Sequence, residues 1–182
     1  MKNLNISLRL LGLMTVLTGI LYPLSLVAVG RIFPDQAGGS ILTRSGHAVG
    51  SSLIAQKNES RRYFQPRPSA GDYATVPSAA SNFGPTSAPL AKSIADRRAA
   101  WGPDAPVDLL SASGSGLDPH LSPEAAAFQA RGVAEARGIR VDDVLELIKK
   151  YTDGPQFGFL GEPRVRILEL NLALDENGKA RP

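Results

Sequence analysis

The sequence predicts an α+β protein in which one N-terminal transmembrane helix is followed by a single mixed α+β exported domain. Three observations lead to this prediction. Residues 10–30 carry no formal charge, whereas basic residues flank them on both sides. The roughly 150 residues that follow are enough for one domain with its own core. Within these residues, helix-like and strand-like patterns alternate without a regular βαβ rhythm, which is typical of the α+β class.

The uncharged run at residues 10–30 is long enough to cross a membrane. At about 1.5 Å rise per residue it covers roughly 30 Å, the thickness of the hydrocarbon core of a bilayer. Pro23 removes one backbone donor, which a membrane helix tolerates when neighbouring groups satisfy the freed carbonyl. A cleaved signal peptide is the alternative, because the small residues Ala28 and Gly30 stand at plausible cleavage positions. The run is longer than the apolar core of a usual signal peptide, which favours a retained anchor.

The charges beside the span predict its orientation. Lys2 and Arg9 precede it, and Arg31 is the first basic residue after it. Because the more positive flank stays on the cytoplasmic side, we expect a cytoplasmic N-terminus and an exported remainder. We therefore divide the chain into residues 1–31, an N-terminal tail with the transmembrane helix, and residues 32–182, an extracytoplasmic α+β domain.

Small residues recur on one face of the predicted span. At about 100° per residue, Gly12, Thr15, Gly19 and Pro23 fall within roughly 80° of one another. Small residues let a second membrane helix approach closely, so these four positions are candidates for contact with a partner helix. The alternative is that they are ordinary membrane-helix residues that face lipid.

The composition outside the span excludes several classes of function. The chain has 20 basic and 17 acidic residues, and the three bases that flank the span account for the whole excess. A near-neutral domain lacks the electrostatic footprint of a nucleic-acid-binding protein. The sequence has no cysteine, and its two histidines, His47 and His120, lack the spacing of a metal site. We therefore expect no nucleic-acid partner, and no cofactor or metal bound by this chain alone.

The first part of the domain is predicted to combine strands, a long loop and a helix. Residues 47–56 mix small and β-prone residues, which predicts a strand. Residues 69–89 are rich in serine, alanine, glycine, proline and asparagine, and we expect a long ordered loop there. Residues 90–101 have helical spacing, and Gly102 ends the helix. Val107–Leu110 is predicted to be a short strand.

The second part is predicted to contain two helices and a final strand. Ser122 is an N-cap, followed by proline at the first helical position, and this helix ends at Gly138. Residues 141–151 have the clearest amphipathic pattern of the chain. Residues 164–175 alternate in the manner of a strand. The phase of this alternation changes at residues 167–168, which indicates a bulge or a strand covered on both faces.

A bend rich in glycine and serine contains the residue types of a nucleophilic triad. Ser113 and Ser115 lie close in sequence to Asp118 and His120. The bend lacks the Gly-x-Ser-x-Gly turn of a nucleophilic serine, and a turn before a capped helix is the simpler interpretation. It also lacks the glycine and lysine pattern of a phosphate-binding loop. Arg67, which two prolines flank, could bind a carboxylate or phosphate, although pairing with an acid of the same domain is its simpler role.

Beyond these patterns, the amino-acid sequences and the order of several segments resemble the C subunit of the Kdp-type potassium-transporting P-type ATPase. The matching segments are LYP (21–23), GSSLIAQ (50–56), YF (63–64), RPSA (67–70), SNFGP (81–85), SGSGLDPHLSP (113–123), GEPRV (161–165) and LELNLALD (168–175). Each is weak evidence alone, but in this order over nearly the whole chain they are highly specific. Ala55 and Arg166 depart from the family pattern, in which glycine and asparagine are usual.

The resemblance implies a single-pass subunit of the cell inner membrane without a catalytic site of its own. Its partners would be a channel-like subunit that carries potassium and a P-type ATPase subunit that hydrolyses ATP, with lipid around the span. In this family the C subunit is described as a catalytic chaperone that stabilises the assembly and raises the ATP affinity of the ATPase subunit. ATP and K⁺ would then be handled by the complex. Candidate interaction residues of the exported domain are Arg67, Asn82, Asp118 and His120.

Two other functions stay open on the sequence alone. One is a membrane-anchored envelope binding or interaction protein, which predicts a stable monomer in detergent. The other is a serine hydrolase, which predicts that Ser113→Ala or Ser115→Ala abolishes turnover of an ester substrate.

Overall fold

The computed structural model describes residues 2–179 and divides the chain into two compact units, Met1–Ile41 and Leu42–Pro182. Residues 1 and 180–182, at the ends of the two predicted ranges, lie outside the described residues. Helices and two small sheets make up the regular structure, which confirms the predicted mixture of α and β elements.

The first unit contains the predicted span. Its elements are α1 (Lys2–Val16), a π-helical turn (Leu17–Leu21), α2 (Tyr22–Gly30) and the short helix α3 (Pro34–Ala37). The helix Asn3–Gly30 has a mean hydropathy of 2.0 over its most apolar window and is, by length and composition, able to cross a membrane.

The π-helical turn ends at Leu21, two residues before Pro23, which has no backbone N–H. The N–H of Tyr22 donates to the carbonyl of Leu17, five residues earlier. Thr18 Oγ1 also donates to the carbonyl of Met14 at 2.7 Å. The helix nevertheless continues through Pro23, because α2 begins at Tyr22 directly after the π-helical turn.

The second unit alternates helices with short strands. Its elements, together with the first strand at the unit boundary, are β1 (Ile41–Arg44), β2 (His47–Ser51), α4 (Ala88–Trp101), α5 (Val107–Leu110), β3 (His120–Leu121), α6 (Pro123–Arg137), α7 (Val141–Lys150), β4 (Thr152–Asp153), β5 (Arg164–Arg166) and α8 (Ile167–Lys179). Residues 52–87 contain no helix or strand, and they include most of the predicted loop at 69–89.

A small antiparallel sheet in the order β3–β5–β4 joins three distant parts of the chain. Val165 on the central strand lies opposite both Leu121 and Thr152. α6 and α8 pack against β5, and α7 packs against both of these helices. The buried core consists of Phe64, Leu109, Leu121, Ala125, Ala126, Ala130, Val133, Ala134, Val144, Ile148, Val165, Ile167, Leu170 and Leu174.

Both predicted ends of α6 are confirmed. The Ser122 Oγ accepts the N–H of Ala125 at 3.2 Å, as an N-cap does. Gly138 ends the helix with φ 68°, a left-handed conformation that glycine adopts without steric cost. The core-facing side of α6 carries mostly alanine, so α7 can pack closely against it.

The predicted strand at residues 164–175 is wrong over most of its length. The strand ends at Arg166, and α8 begins at Ile167. Ile167, Leu170 and Leu174 are buried, and their spacing of three and four residues is that of one helix face. The change of phase at residues 167–168 therefore marks the junction between strand and helix.

Two further strand predictions need correction. Val107–Leu110 is a helical turn with Leu109 and Leu110 buried. The strand prediction failed because a segment this short has no periodicity that separates helix from strand. The strand predicted for residues 47–56 ends at Ser51, whose Oγ accepts the N–H of Leu53 and starts a turn.

Candidate functional site

The predicted partner-helix face lies in the first unit. Gly12, Thr15, Gly19 and Pro23 are all exposed. A Cβ added to Gly12 would meet nothing within 4 Å, and one added to Gly19 would meet only the Thr15 methyl group at 4.0 Å. The helix surface is therefore open at both glycines. Contact between this face and a partner helix stays a prediction.

Arg67, Asp108 and Asp118 form one cluster of half-buried charged side chains, and the half-buried His120 lies beside Asp118. Arg67 Nη1 donates to Asp118 Oδ2 at 3.3 Å, and Arg67 Nε lies 3.8 Å from Asp108 Oδ1. Asp118 Oδ1 accepts the backbone N–H of His120 at 3.0 Å and lies 3.7 Å from its Nδ1. Arg67 is thus paired with acids of its own domain, which is the simpler of its two predicted roles.

This cluster also fixes the start of α6. Asp108 Oδ2 accepts the N–H of Ser122, the N-cap residue, at 2.9 Å. Three of the four predicted interaction residues therefore lie in or beside this cluster, and Asp108, which was not predicted, joins them there. Asn82, the fourth, lies in the exposed loop with φ 54°, and no hydrogen bond or ion pair among the described residues joins it to the cluster.

The serine-rich bend provides no pair of nucleophile and base. Ser113 is buried, and its Oγ has no hydrogen-bond partner in the part of the chain that the structure describes. Ser115 Oγ accepts the N–H of Leu117 at 3.1 Å, which closes a local turn. A serine nucleophile needs a base within hydrogen-bond reach, and no hydrogen bond among the described residues joins Ser113 or Ser115 to His120. The geometry therefore gives no support to a serine hydrolase.

The long loop packs against this same bend. The N–H of Ser113 donates to the carbonyl of Pro68 at 2.9 Å. Gly116 has φ 73°, and an added Cβ would lie 2.7 Å from the carbonyl oxygen of Ala79. Both the conformation and the available space therefore require glycine at this position. The loop therefore packs as an ordered part of the domain, which is what the sequence predicted for residues 69–89.

An ion-pair network centred on Asp175 joins parts of the chain that the sequence patterns did not connect. Asp175 Oδ1 accepts from Arg137 Nη2 at 2.8 Å. Asp175 Oδ2 accepts from Arg44 Nη1 at 2.5 Å and from the Tyr63 hydroxyl at 3.0 Å. The Arg137 side chain is only 4% exposed and lies over the Tyr63 ring, 4.6 Å from its centroid. The network therefore ties α6, α8, β1 and the segment near Tyr63 together.

The surroundings of Asp175 favour its charged form. Burial raises the pKa of Asp175, but hydrogen bonds from Arg137, Arg44 and Tyr63 outweigh this effect and bring the pKa below its usual value. No local pattern in the sequence signals this site, because Arg44, Tyr63 and Arg137 lie far from Asp175 along the chain.

Two side-chain amides hold the extended segment at residues 64–65. The N–H of Phe64 donates to Asn171 Oδ1 at 2.8 Å, and its carbonyl accepts from Asn171 Nδ2 at 3.0 Å. Gln129 makes the same pair of hydrogen bonds with Gln65, at 2.8 and 3.0 Å. Each amide has both a donor and an acceptor, so it can replace the neighbouring strand that this segment lacks. Phe64 itself is fully buried.

A cavity of about 320 Å³ lies beside the Asp175 network. Its polar lining includes Arg44, Lys57, Tyr63, Asn171 and Asp175. These groups are already paired within the domain, since Lys57 Nζ binds Asp72 at 2.9 Å and the others take part in the contacts above. Among residues 2–179, no group of three or more histidine or acidic side chains is placed to hold a metal ion. The expectation that this chain binds no cofactor alone stays a prediction.

Comparison with known proteins gives one consistent result. The family described as "KdpC: K+-transporting ATPase, c chain" matches residues 4–176. The chain is 45% identical to the potassium-transporting ATPase KdpC subunit of Cereibacter sphaeroides (strain KD131), over 98% of this chain and 99% of that protein. It is 48% identical to the protein of that name from Methylococcus capsulatus, over 93% and 95% of the two chains. For the protein of that name from Kineococcus radiotolerans the identity is 49%, over 92% and 90%. With its apolar helix and its mixed α and β domain both inside the matched region, the chain belongs to the family of K⁺-transporting ATPase C chains.

Proposed function

We propose that this chain is a non-catalytic accessory subunit of an ATP-driven potassium import complex, in which it stabilises and activates the assembly. Family membership over residues 4–176 carries this proposal. The names of the relatives refer to a subunit of a potassium-transporting ATPase, and the relatives match this chain over almost their whole length. An anchored binding protein that acts alone, or a hydrolase, has no comparable support.

The proposed partners are a channel-like subunit that carries potassium and a P-type ATPase subunit that hydrolyses ATP. Asn3–Gly30 anchors the chain in the inner membrane, with lipid around it, a cytoplasmic N-terminus and the larger domain outside. The open surface at Gly12 and Gly19 suits close approach of a partner helix. ATP and K⁺ are handled by the partners.

The ion pairs between charged side chains within the domain support a rigid accessory role. Arg67 is held by Asp108 and Asp118, and Asp175 is held by Arg44 and Arg137. Charged side chains that hold distant segments together keep a surface in one shape, and a surface of fixed shape binds a partner with a smaller entropic cost. In this proposal, any effect on the ATP affinity of the ATPase subunit passes through subunit contacts.

Co-purification tests the proposal. The full chain, carrying an affinity tag, is purified in mild detergent from potassium-starved cells. We expect two larger membrane proteins to be recovered with it in a fixed ratio. A tagged chain that elutes as a monomer, without either protein, would contradict the proposal.

The predicted helix face can be tested in the same preparation. Gly19→Leu adds bulk on the small-residue face, so we expect weaker recovery of the larger subunits. Met14→Phe adds bulk about 200° around the helix from Gly12 and serves as the control. Equal recovery with both variants would exclude the face as a contact.

A further inference from the structure

A tight turn lies at the centre of the connection between β4 and β5. Gln156 and Leu160 are joined by two backbone hydrogen bonds, of 2.8 and 2.9 Å. The N–H of Phe159 donates to the carbonyl of Gln156 at 3.2 Å, which closes a four-residue turn. The two central residues, Phe157 and Gly158, have φ 53° and 82°. Positive φ at both central residues is the requirement of a type I′ turn.

Phe157 is an unfavourable residue at its position in this turn. A positive φ is sterically costly for a bulky side chain, and asparagine, aspartate or glycine normally occupies the first central position. The Phe157 side chain is also 87% exposed, so packing within this chain does not compensate for the cost. A residue that breaks a local rule without a gain in the free protein is expected at a functional position.

The turn exposes three apolar side chains, and its own hydrogen bonds and the strand that follows hold it in place. Phe157, Phe159 and Leu160 are 87%, 76% and 49% exposed, and we refer to residues 156–160 as the apolar tip. No formal charge occurs between Gly154 and Gly161. The strand that follows is anchored at the fully buried Val165. An exposed apolar cluster of this kind, on a turn closed by its own hydrogen bonds, marks an interaction surface.

We infer that the apolar tip docks into an apolar pocket on another polypeptide subunit of the complex. This inference rests on the proposed function, which supplies the partner. Exposed phenylalanine rings are typical anchors at the centre of protein interfaces, and a turn closed by its own hydrogen bonds loses little freedom on binding.

The sequence around the apolar tip favours a protein partner over a lipid surface. No basic residue, which would attract anionic lipid headgroups, occurs in residues 154–163. The nearest charged residues along the chain are the acids Asp153, which pairs with Arg166 at 3.4 Å, and Glu162. Tryptophan and tyrosine, which are enriched at membrane interfaces, do not occur in residues 154–163. A pocket of fixed shape on a protein matches both the rigidity and the charge of this surface.

Photo-crosslinking of the full chain tests the inference directly. Benzoylphenylalanine replaces Phe159 in cells that also produce the two larger subunits, and the membranes are then irradiated. We expect an adduct with the combined mass of this chain and one larger subunit. An adduct with lipid alone, an adduct with a second copy of this chain, or no adduct would overturn the inference.

A substitution that favours the turn separates binding from folding. Phe157→Asn introduces the preferred residue of a type I′ turn and removes the ring, so the thermal unfolding temperature should be unchanged or higher. Combined with Phe159→Thr, it should lower recovery of the larger subunits by about tenfold or more, since aromatic anchors contribute strongly to binding. Val76→Ser is the matched control, because Val76 is 89% exposed outside the apolar tip.

The outcomes distinguish the inference from the proposed function. If the unchanged chain recovers no larger subunit, the proposed function fails and the inference falls with it. If the unchanged chain recovers both subunits, and the double variant recovers them within twofold of that amount, the inference alone is overturned.

Discussion

Replacing Asp175 by asparagine should destabilise the second unit. The change leaves Arg137, whose side chain is 4% exposed, without the carboxylate that neutralises it. Loss of one partner of a fully buried pair costs about 3–5 kcal/mol. The Asp175 side chain is 21% exposed and asparagine can still accept a hydrogen bond, so we expect a loss of about 2–3 kcal/mol in the free energy of unfolding.

The same network predicts how this loss depends on pH. Burial raises the pKa of Asp175, but hydrogen bonds from Arg137, Arg44 and Tyr63 bring it below the ordinary value of 3.8. Because the folded-state pKa lies below the unfolded-state pKa, the stabilisation is complete above the unfolded value and is lost as the pH falls through the folded value. The difference between the unchanged chain and Asp175→Asn should therefore be constant above about pH 5 and shrink below about pH 4.

Urea unfolding of the full chain in detergent measures this difference. The fluorescence of Trp101, the single tryptophan, reports on unfolding because its ring packs against the core. Asp142→Asn is the matched control, since Asp142 and its partner Arg140 are 75% and 69% exposed, and such a pair contributes about 1 kcal/mol or less. The reasoning is refuted if Asp175→Asn costs no more than the control, or if its cost increases as the pH falls.

The remaining predictions concern the loop and the extended segment, and the same unfolding assay checks them. Gly116→Ala should destabilise by about 1–3 kcal/mol, because its Cβ would clash with a carbonyl oxygen and its φ is 73°. Gly114→Ala should be nearly neutral, since its Cβ meets nothing within 4 Å; equal effects would contradict the loop packing. Asn171→Ala and Gln129→Ala each remove two hydrogen bonds to one backbone residue and should cost about 1–3 kcal/mol. An effect below about 0.5 kcal/mol for both would show that the amides do not hold the segment.

Local signals in the sequence predicted several elements correctly because their causes are local. The hydroxyl of Ser122 and the conformation of Gly138 set the ends of α6 through neighbouring backbone groups. The candidate span could also be predicted, because length and apolar composition define it. The π-helical turn before Pro23 was not predicted, although continuation of the helix through the proline was expected.

The errors arose where two periodicities fit the same residues. In residues 167–175 every second residue is apolar, so a strand and a helix face share Leu170 and Leu174. Only the packing of α8 against β5 and α7 decides between them.

The Asp175 network was missed for a related reason. Its members Arg44, Tyr63 and Arg137 lie far apart in sequence, and only the tertiary fold brings them together. The Arg67 cluster was partly predicted because Asp118 and His120 are near neighbours, whereas Asp108 joins it from the short helix α5.

Potassium-stimulated ATPase activity of the purified complex tests the central claim most directly. Activity is compared between the complex that contains the full chain and a complex in which residues 32–182 have been removed from it. We predict that potassium-stimulated activity is lost or strongly reduced without these residues, because the domain stabilises the active assembly. Full potassium-stimulated activity in the truncated complex would contradict the proposed accessory role.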